Sequence, residues 1–227
     1  MRSLFLLFAS CIIAINLSAQ ISIAPEIGVN LSTYSTNTYG DKNLTKLNGN
    51  IRAGLKADIS LNDHFYLQPA VLYARNGFYP GNGAPPYGIT MNINTIEIPL
   101  QLVYKINKPG PGTPFFGIGP YIGFNAWGST SYLPLVYPPG FYIMPLESPI
   151  TRSLRIGSSS NDDIKLLDAG IIASAGIQLP FHIYTLLYFQ KGFVNLQPSG
   201  DSNNYMKSLN MGMSLGYFFH FKHPSKK

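Results

Sequence analysis

Several charged residues of this chain fall inside stretches in which apolar and polar side chains alternate. In residues 48–61, Arg52, Lys56 and Asp58 share one face, while isoleucine, leucine and alanine side chains occupy the other. A period of two is typical of a β-strand with one face in an apolar medium. Charges shielded from water must be paired, so the spacing predicts a network of ion pairs and hydrogen bonds on the inner face of a sheet. Its predicted members are Glu26, Arg52, Lys56, Asp58, Glu97, Gln101, Lys105, Asp168, Gln178 and Gln190.

Catalysis by these carboxylates is a second interpretation of the same pattern. General acid–base and nucleophilic chemistry need a base within hydrogen-bond reach of its reactive partner. The histidines, His64, His182, His220 and His223, stand at turns and strand ends, and none belongs to a serine nucleophile motif. We therefore predict no enzymatic activity, no cofactor and no metal site. A lipid-modifying enzyme and a narrow channel are the alternatives.

Eight alternating stretches are long enough to cross a bilayer as tilted strands of about 9 to 11 residues. They lie at residues 21–31, 48–61, 65–79, 91–106, 115–128, 165–179, 183–196 and 207–222. The long connections are residues 32–47, 80–90, 129–164 and 197–206, and the three between them are short. A barrel with both termini in the periplasm and long external loops has this asymmetry. We predict an all-β fold, an eight-stranded antiparallel up-and-down transmembrane β-barrel, which leaves no unpaired edge in lipid.

The composition and the first residues agree with a membrane location. Charged residues make up 11% of the chain, against roughly a quarter in ordinary soluble domains. No apolar run reaches the roughly 20 residues that a membrane helix needs. Residues 1–19 have a basic start at Arg2 and an apolar run that ends in small residues. This predicts a signal peptide cleaved after Ala19, followed by a barrel domain at residues 20–227 in the cell outer membrane.

Cysteine usage and charge exclude several classes of site. Cys11 is the single cysteine and lies in the predicted signal peptide, so the mature chain has no cysteine for a disulfide or a metal. Cys11 as a lipoprotein site is disfavoured because the apolar run continues past it to Ile15. The net charge of +6 is not arranged as a basic run with interleaved aromatics, so no nucleic-acid partner is expected.

The last predicted strand resembles the C-terminal recognition signal of outer-membrane barrels. Residues 215–221 contain an apolar residue, a glycine and then aromatics at alternate positions that end in phenylalanine. The resemblance implies that Gly216, Tyr217, Phe219 and Phe221 form an assembly signal for the barrel assembly machinery.

Other stretches are similar to the successive strand motifs of the PorT-like outer-membrane β-barrel proteins of Bacteroidota. These are Glu26-Ile27-Gly28-Val29-Asn30, Leu67-Gln68-Pro69-Ala70-Val71-Leu72-Tyr73, Ile96-Glu97-Ile98-Pro99-Leu100 and Gly117-Ile118-Gly119-Pro120-Tyr121-Ile122-Gly123. The resemblance implies an eight-stranded barrel like OmpX and OmpA. PorT itself is linked to protein secretion, so a role in secretion is a further alternative. Pro25 in the first strand and the segment 129–145 depart from the pattern of the group.

The longest predicted loop is too apolar for a purely solvated segment. Exposed apolar patches mark interaction surfaces, and arginines suit the phosphates of lipopolysaccharide. The predicted interaction surface consists of Tyr132, Tyr137, Phe141, Tyr142, Arg152 and Arg155. The alternative is that this segment extends the strands or folds over the barrel mouth. We predict a structural or surface-binding role, with outer-membrane lipids, lipopolysaccharide and an unidentified surface or periplasmic partner.

Overall fold

The computed structural model describes residues 21–38, 41–79, 90–106, 112–132, 135–136, 144–145 and 150–220. The long strands are β1 (Ile21–Thr38), β2 (Asn48–Ser60), β3 (Phe65–Phe78), β4 (Thr90–Lys105), β5 (Thr113–Tyr132), β6 (Leu167–Gln178), β7 (Ile183–Gly192) and β8 (Asn204–Tyr217). The short strands in the described residues are Asp41–Leu44, Leu135–Val136, Met144–Pro145, Ile150–Ser153 and Phe219–His220, and Pro180–His182 forms a 3₁₀ turn.

The eight long strands close into one barrel. Each pairs antiparallel with the next strand in the chain, including β5 with β6 across the longest connection. The last strand, β8, pairs with β1 from Glu26 opposite Gly216 to Thr38 opposite Asn204. Closure gives every strand two neighbours, as lipid requires of a spanning sheet. The predicted up-and-down antiparallel barrel is confirmed.

The two ends of the barrel differ in their connections. At the end that we call the short-turn end, residues 61–64, 106–112 and 179–182 join the strands. At the other end, which we call the long-loop end, longer segments join β1 to β2, β3 to β4, β5 to β6 and β7 to β8. Within the described residues no helix is long and apolar enough to cross a membrane.

The outer face of the barrel is apolar and exposed, and the inner face is polar and buried. On β1, Ile27 is 63% exposed, while the neighbouring Glu26 is buried. On β7, Leu187 is 62% exposed, while Gln190 is buried. An apolar face of this extent would be unusual on a soluble monomer and suits contact with lipid.

Two strands run further than their sequence predicts. β1 continues to Thr38, through residues predicted as loop, because its backbone pairs with β8 and with the short strand Asp41–Leu44. β5 continues to Tyr132, where it pairs with β4 and with Ile150–Ser153. Neighbouring backbone, rather than side-chain polarity, decides where these strands end.

Prolines inside the barrel strands coincide with gaps in the ladders. The pairing of β1 with β8 is lost beside Pro25, and similar gaps lie beside Pro69, Pro99 and Pro120. Proline has no N–H to donate to a neighbouring strand. At Pro25 itself β1 is continuous, and only its pairs with β8 are lost.

Two strands place aromatic or apolar side chains inside the lumen. β7, which is apolar on both faces, turns Tyr184, Leu186 and Tyr188 inward. On the last strand, Phe218 also points inward and is buried. Both cases place aromatic or apolar groups inside an otherwise polar lumen.

Replacing Pro25 by alanine is expected to stabilise the barrel. The register places Pro25 opposite Tyr217, and alanine supplies the N–H that the Tyr217 carbonyl lacks. Satisfying this carbonyl is expected to stabilise the barrel by about 1 to 3 kcal/mol. Removing proline makes the unfolded chain less restricted, which destabilises the barrel by about 0.4 to 1 kcal/mol. Denaturant unfolding in lipid vesicles measures the difference. An unchanged or lower free energy of unfolding would show that this carbonyl is already satisfied.

Candidate functional site

The centre of the lumen is organised around Glu26. Lys56 Nζ lies 2.6 Å from Glu26 Oε2, and Arg52 Nη1 lies 3.5 Å from Glu26 Oε1. The Tyr184 hydroxyl donates to Glu26 Oε2 at 2.8 Å. One buried carboxylate on β1 thus holds two cations from β2 and a tyrosine from β7.

Arg52 extends this cluster to a second carboxylate. Its Nε donates to Glu97 Oε2 at 3.3 Å, and Gln190 Nε2 donates to Glu97 Oε1 at 3.1 Å. The guanidinium carbon lies 4.2 Å from the centre of the Tyr188 ring. Because the two carboxylates and the arginine come from β1, β4 and β2, the network ties non-adjacent walls of the barrel together.

A chain of neutral side chains continues toward the long-loop end. Tyr188 donates to Asn30 Oδ1 at 2.8 Å, and Asn30 Nδ2 donates to Asn76 Oδ1 at 2.7 Å. Asn76 in turn donates to Thr95, and Thr95 to Asn125, at 3.1 and 2.9 Å. The sequence prediction omitted Asn30, Asn76, Thr95 and Asn125, although they occupy inward positions of strands whose inward and outward faces were already assigned. Applying the same parity to uncharged polar residues would have found them.

A second ion pair lies near the short-turn end. Lys105 Nζ is 2.6 Å from Asp58 Oδ2 and donates to Gln178 Oε1 at 3.2 Å. Gln68 Nε2 donates to Asp58 Oδ1 at 2.8 Å, and the Tyr66 ring centre lies 3.9 Å from Lys105 Nζ. The Lys105–Asp58 ion pair is therefore surrounded by the neutral side chains of Gln68, Gln178 and Tyr66.

Asp168 differs from the other inward carboxylates because its partners are hydroxyls. Ser208 Oγ donates to Asp168 Oδ2 at 2.5 Å, and Tyr121 Oη donates to the same oxygen at 3.0 Å. In the part of the chain that the structure describes, no cation lies within 4.0 Å of its carboxylate oxygens. All ten predicted network residues lie inside the barrel, and Gln101 bonds Ser174 there at 3.1 Å.

Apolar clusters lie at both ends of this polar layer. At the short-turn end, a base cluster is formed by Tyr66, Phe115, Tyr184 and Phe218, with Tyr184 and Phe218 ring centres 4.7 Å apart. At the long-loop end, a mouth cluster is formed by Tyr34, Met91, Ile93, Leu154, Ile164, Leu196 and Met206. The polar lumen is therefore an enclosed interior rather than an open tube over the residues described.

The mouth cluster is completed by the segment that follows β5. Leu154 and Ile164 enter it from outside the barrel strands. Before them, Ile150–Ser153 pairs with Ser129–Tyr132, and Leu135–Val136 pairs with Met144–Pro145. The described part of this connection thus both extends a strand and folds over the mouth.

The predicted interaction surface is only partly described. Tyr132 ends β5 opposite Ile150, whereas Tyr137, Phe141 and Tyr142 lie outside the described residues. Arg152 and Arg155 are described, and both contact the same carboxylate. The interaction surface therefore stays a prediction.

Asp163 joins the two arginines. Arg152 Nη1 and Nη2 donate to its Oδ2 and Oδ1 at 2.6 and 2.7 Å, and the Arg155 backbone N–H donates to Oδ2 at 2.9 Å. The hydrogen bonds from Arg152 lower the pKa of Asp163 to about 2. Because Asp163 precedes Ile164, this contact fastens the segment that covers the mouth.

The predicted assembly signal has a packing role at one position. A Cβ at Gly216 would lie 2.4 Å from the Tyr184 ring, so glycine makes room for the tyrosine that binds Glu26. Tyr217 and Phe219 point outward with ring centres 4.7 Å apart. Phe221 lies outside the described residues, and recognition by the assembly machinery stays a prediction.

Two histidines at the short-turn end are engaged in local contacts. His64 Nδ1 lies 3.2 Å from the Lys105 carbonyl oxygen, and the His182 ring lies edge-on to Tyr217 with centres 6.3 Å apart. Among the residues described, no group of three or more His, Cys, Asp and Glu side chains is placed to hold a metal ion.

Removing the charge of Glu26 is expected to destabilise the barrel far more than removing that of Asp168. Glu26→Gln leaves Arg52 and Lys56 without a shared carboxylate, which costs about 3 to 5 kcal/mol for a buried pair. Asp168→Asn keeps an acceptor for both hydroxyls and strands no cation, so it costs less than about 1.5 kcal/mol. Urea unfolding of both variants in vesicles measures the contrast. Equal losses would contradict the role given to Glu26.

Acidification is expected to release the mouth segment only at very low pH. The pKa of Asp163 is depressed from 3.8 to about 2, so its stabilising contact is present above pH 3.8 and lost as the pH falls through about 2. Following the Asp163 carboxyl by NMR in micelles measures the midpoint. Asp163→Asn is the control and should speed amide exchange at Gly157 and Ile164. A midpoint near the ordinary aspartate value would contradict the bidentate contact.

Three solved structures are among those that resemble the chain. Ail, the attachment invasion locus protein of Yersinia pestis, is 15% identical, with 89% of this chain and 100% of that chain covered and a TM-score of 0.42. Neisserial surface protein A is 12% identical, with 87% and 97% covered and a TM-score of 0.42. The N-terminal β-barrel domain of Pseudomonas aeruginosa OprF is 10% identical, with 85% and 97% covered and a TM-score of 0.29. No curated protein matches the chain by sequence.

A family match covers most of the barrel. Residues 16–198 match the outer membrane protein beta-barrel domain, a range that includes β1 to β7. The closed barrel, its apolar outer face and its paired inner charges agree with that match. The chain belongs to the outer membrane protein beta-barrel domain family.

Proposed function

We propose that this outer-membrane barrel is a structural or surface-binding protein that acts through its extracellular loops. The observation that carries the proposal is the filled lumen. Glu26, Arg52, Lys56 and Glu97 are each buried and paired, and apolar clusters lie at both ends of the layer that they form. An interior of this kind holds the barrel together and leaves its surfaces to meet partners.

The long-loop end is the surface that we assign to binding. Short turns on the periplasmic side and longer loops outside are the usual arrangement of such barrels. The extension of β5 and the segment Ile150–Ser153 stand beyond the barrel at this end. Arg152 and Arg155 share Asp163, so the trio keeps one net positive charge, which supports contact with lipopolysaccharide phosphate.

The other interpretations draw less support from the geometry. A narrow channel requires a path through both apolar clusters. A lipid-modifying enzyme requires a reactive group at the lipid face, whereas the barrel-strand carboxylates Glu26, Asp58, Glu97 and Asp168 are all buried inside. Membership of the PorT-like group, and with it a link to secretion, rests on the strand motifs alone.

Cysteine labelling of intact cells tests the proposal. The predicted mature chain has no cysteine, so single replacements report cleanly. Ser153→Cys lies at the long-loop end, Asp63→Cys at the short-turn end and Ser174→Cys inside the lumen. The reagent is a polyethylene-glycol maleimide too large to cross the outer membrane.

We expect Ser153→Cys to react on intact cells and Asp63→Cys to react only after the membrane is opened. Ser174→Cys should stay unreactive in both cases while the barrel is folded, and should react after denaturation. Labelling of Asp63→Cys on intact cells would reverse the orientation. Labelling of Ser174→Cys in the folded state would contradict the closed lumen.

A further inference from the structure

On the eight barrel strands, the inner face carries charges of both signs, whereas the outer face carries cations only. The carboxylates of these strands are Glu26, Asp58, Glu97 and Asp168, and all of them point inward. The outward-pointing charges of the same strands are Arg75 on β3, Lys191 on β7 and Lys207 on β8. The inner cations have carboxylate partners, whereas the outward cations share their face with no carboxylate of the barrel strands.

The three outward cations occupy equivalent places along their strands. On β7 the outward row runs through Leu187 and Phe189 before it reaches Lys191. On β8 it runs through Met211 and Leu209 before it reaches Lys207. On β3 it runs through Val71 and Tyr73 before it reaches Arg75, so each cation lies where the apolar face ends on the long-loop side.

The short-turn side of the apolar face ends differently. Its outward positions include an aromatic pair, Phe65 and Tyr104, on neighbouring strands with ring centres 5.2 Å apart. Tyr217 and Phe219 form a similar pair. Aromatic rings suit either membrane interface, whereas outward cations without carboxylates on the same face of the barrel strands suit an interface that carries anionic groups.

Lys191 and Lys207 are close enough to share one anion. Lys191 pairs with Leu209, and Lys207 lies two residues further along the same outward row. Diagonal neighbours of this kind have Cα atoms roughly 7 to 8 Å apart, within reach of two lysine side chains. Lys207 Nζ lies 5.2 Å from the Tyr205 ring centre, which places an aromatic wall beside the ammonium group. Among the residues described, neither lysine has a carboxylate within 4.0 Å.

We propose that Lys191 and Lys207 form a binding site for the phosphate of a phosphorylated glycolipid in the outer leaflet, with Arg75 as a second contact on another wall. The lipid tails lie along the apolar rows below, and the headgroup phosphate meets the two ammonium groups. This site differs from Arg152 and Arg155, which both contact the carboxylate of Asp163. The proposal rests on the proposed orientation of the barrel, because it places these lysines in the outer leaflet.

Reconstitution in defined lipids tests this site. Full-length mature protein is placed in phosphatidylcholine nanodiscs that contain either lipid A or phosphatidylglycerol, and bound lipid is counted by native mass spectrometry. The test variant is Lys191→Glu with Lys207→Glu. The matched control is Lys42→Glu with Lys46→Glu, which makes the same charge change at exposed positions off the eight barrel strands. A Lys191→Gln, Lys207→Gln variant serves if the glutamates impair insertion.

The test variant should bind lipid A at least about tenfold less tightly than the native protein, since each lysine contributes near a charged membrane surface. The control should change little, and raising the salt concentration should narrow the difference. Equal losses in test and control would overturn the site. A loss for phosphatidylglycerol as large as that for lipid A would overturn the assignment to a glycolipid. The lipid-binding assays do not depend on the orientation of the barrel in the cell. If cysteine labelling showed the opposite orientation, the proposed function would fail, but the contact between the lysines and phosphate could still be measured.

Discussion

The structure depends on one constraint, that neither a backbone group nor a charge inside a bilayer can remain without a partner. The backbone meets this constraint by closing β8 onto β1, which gives every strand two neighbours. Most inward charges meet it by pairing, and Glu26 has a central place because it contacts both Arg52 and Lys56, whereas Asp168 accepts from two hydroxyls. Beside prolines such as Pro25, the ladder of backbone pairs between neighbouring strands is interrupted.

Filling the lumen with paired charges has a consequence for function. If part of the network were broken to admit a substrate or an ion, buried charges would lose their partners, and their desolvation would no longer be compensated. The apolar clusters around Phe218 and Ile93 add a second barrier at each end of the polar layer. The same constraint that stabilises the barrel is our reason for proposing that binding takes place at the lipid face and the loops, where Lys191, Lys207 and Arg152 lie.

Alternation, together with the count of eight strands and the order of long and short connections, predicted the fold and many of the inward side chains. A period of two assigns Arg52 and Glu97 to the interior from sequence, because a one-residue error would turn every neighbour to the wrong face. It could not orient Tyr184, since β7 is apolar on both faces, and it ended β1 too early because serine and threonine resemble loop residues. The contact of Arg152 with Asp163 joins loop residues that follow no period, so only the structure shows it.

The central claim is that the lumen is closed and serves as the interior of the protein. Single-channel recording in planar bilayers tests it most directly, with purified refolded protein and a heat-modifiability gel to confirm the folded state. The account predicts a silent membrane, without reproducible unitary steps at either polarity. Stable steps of uniform size that disappear when the protein is denatured would contradict it.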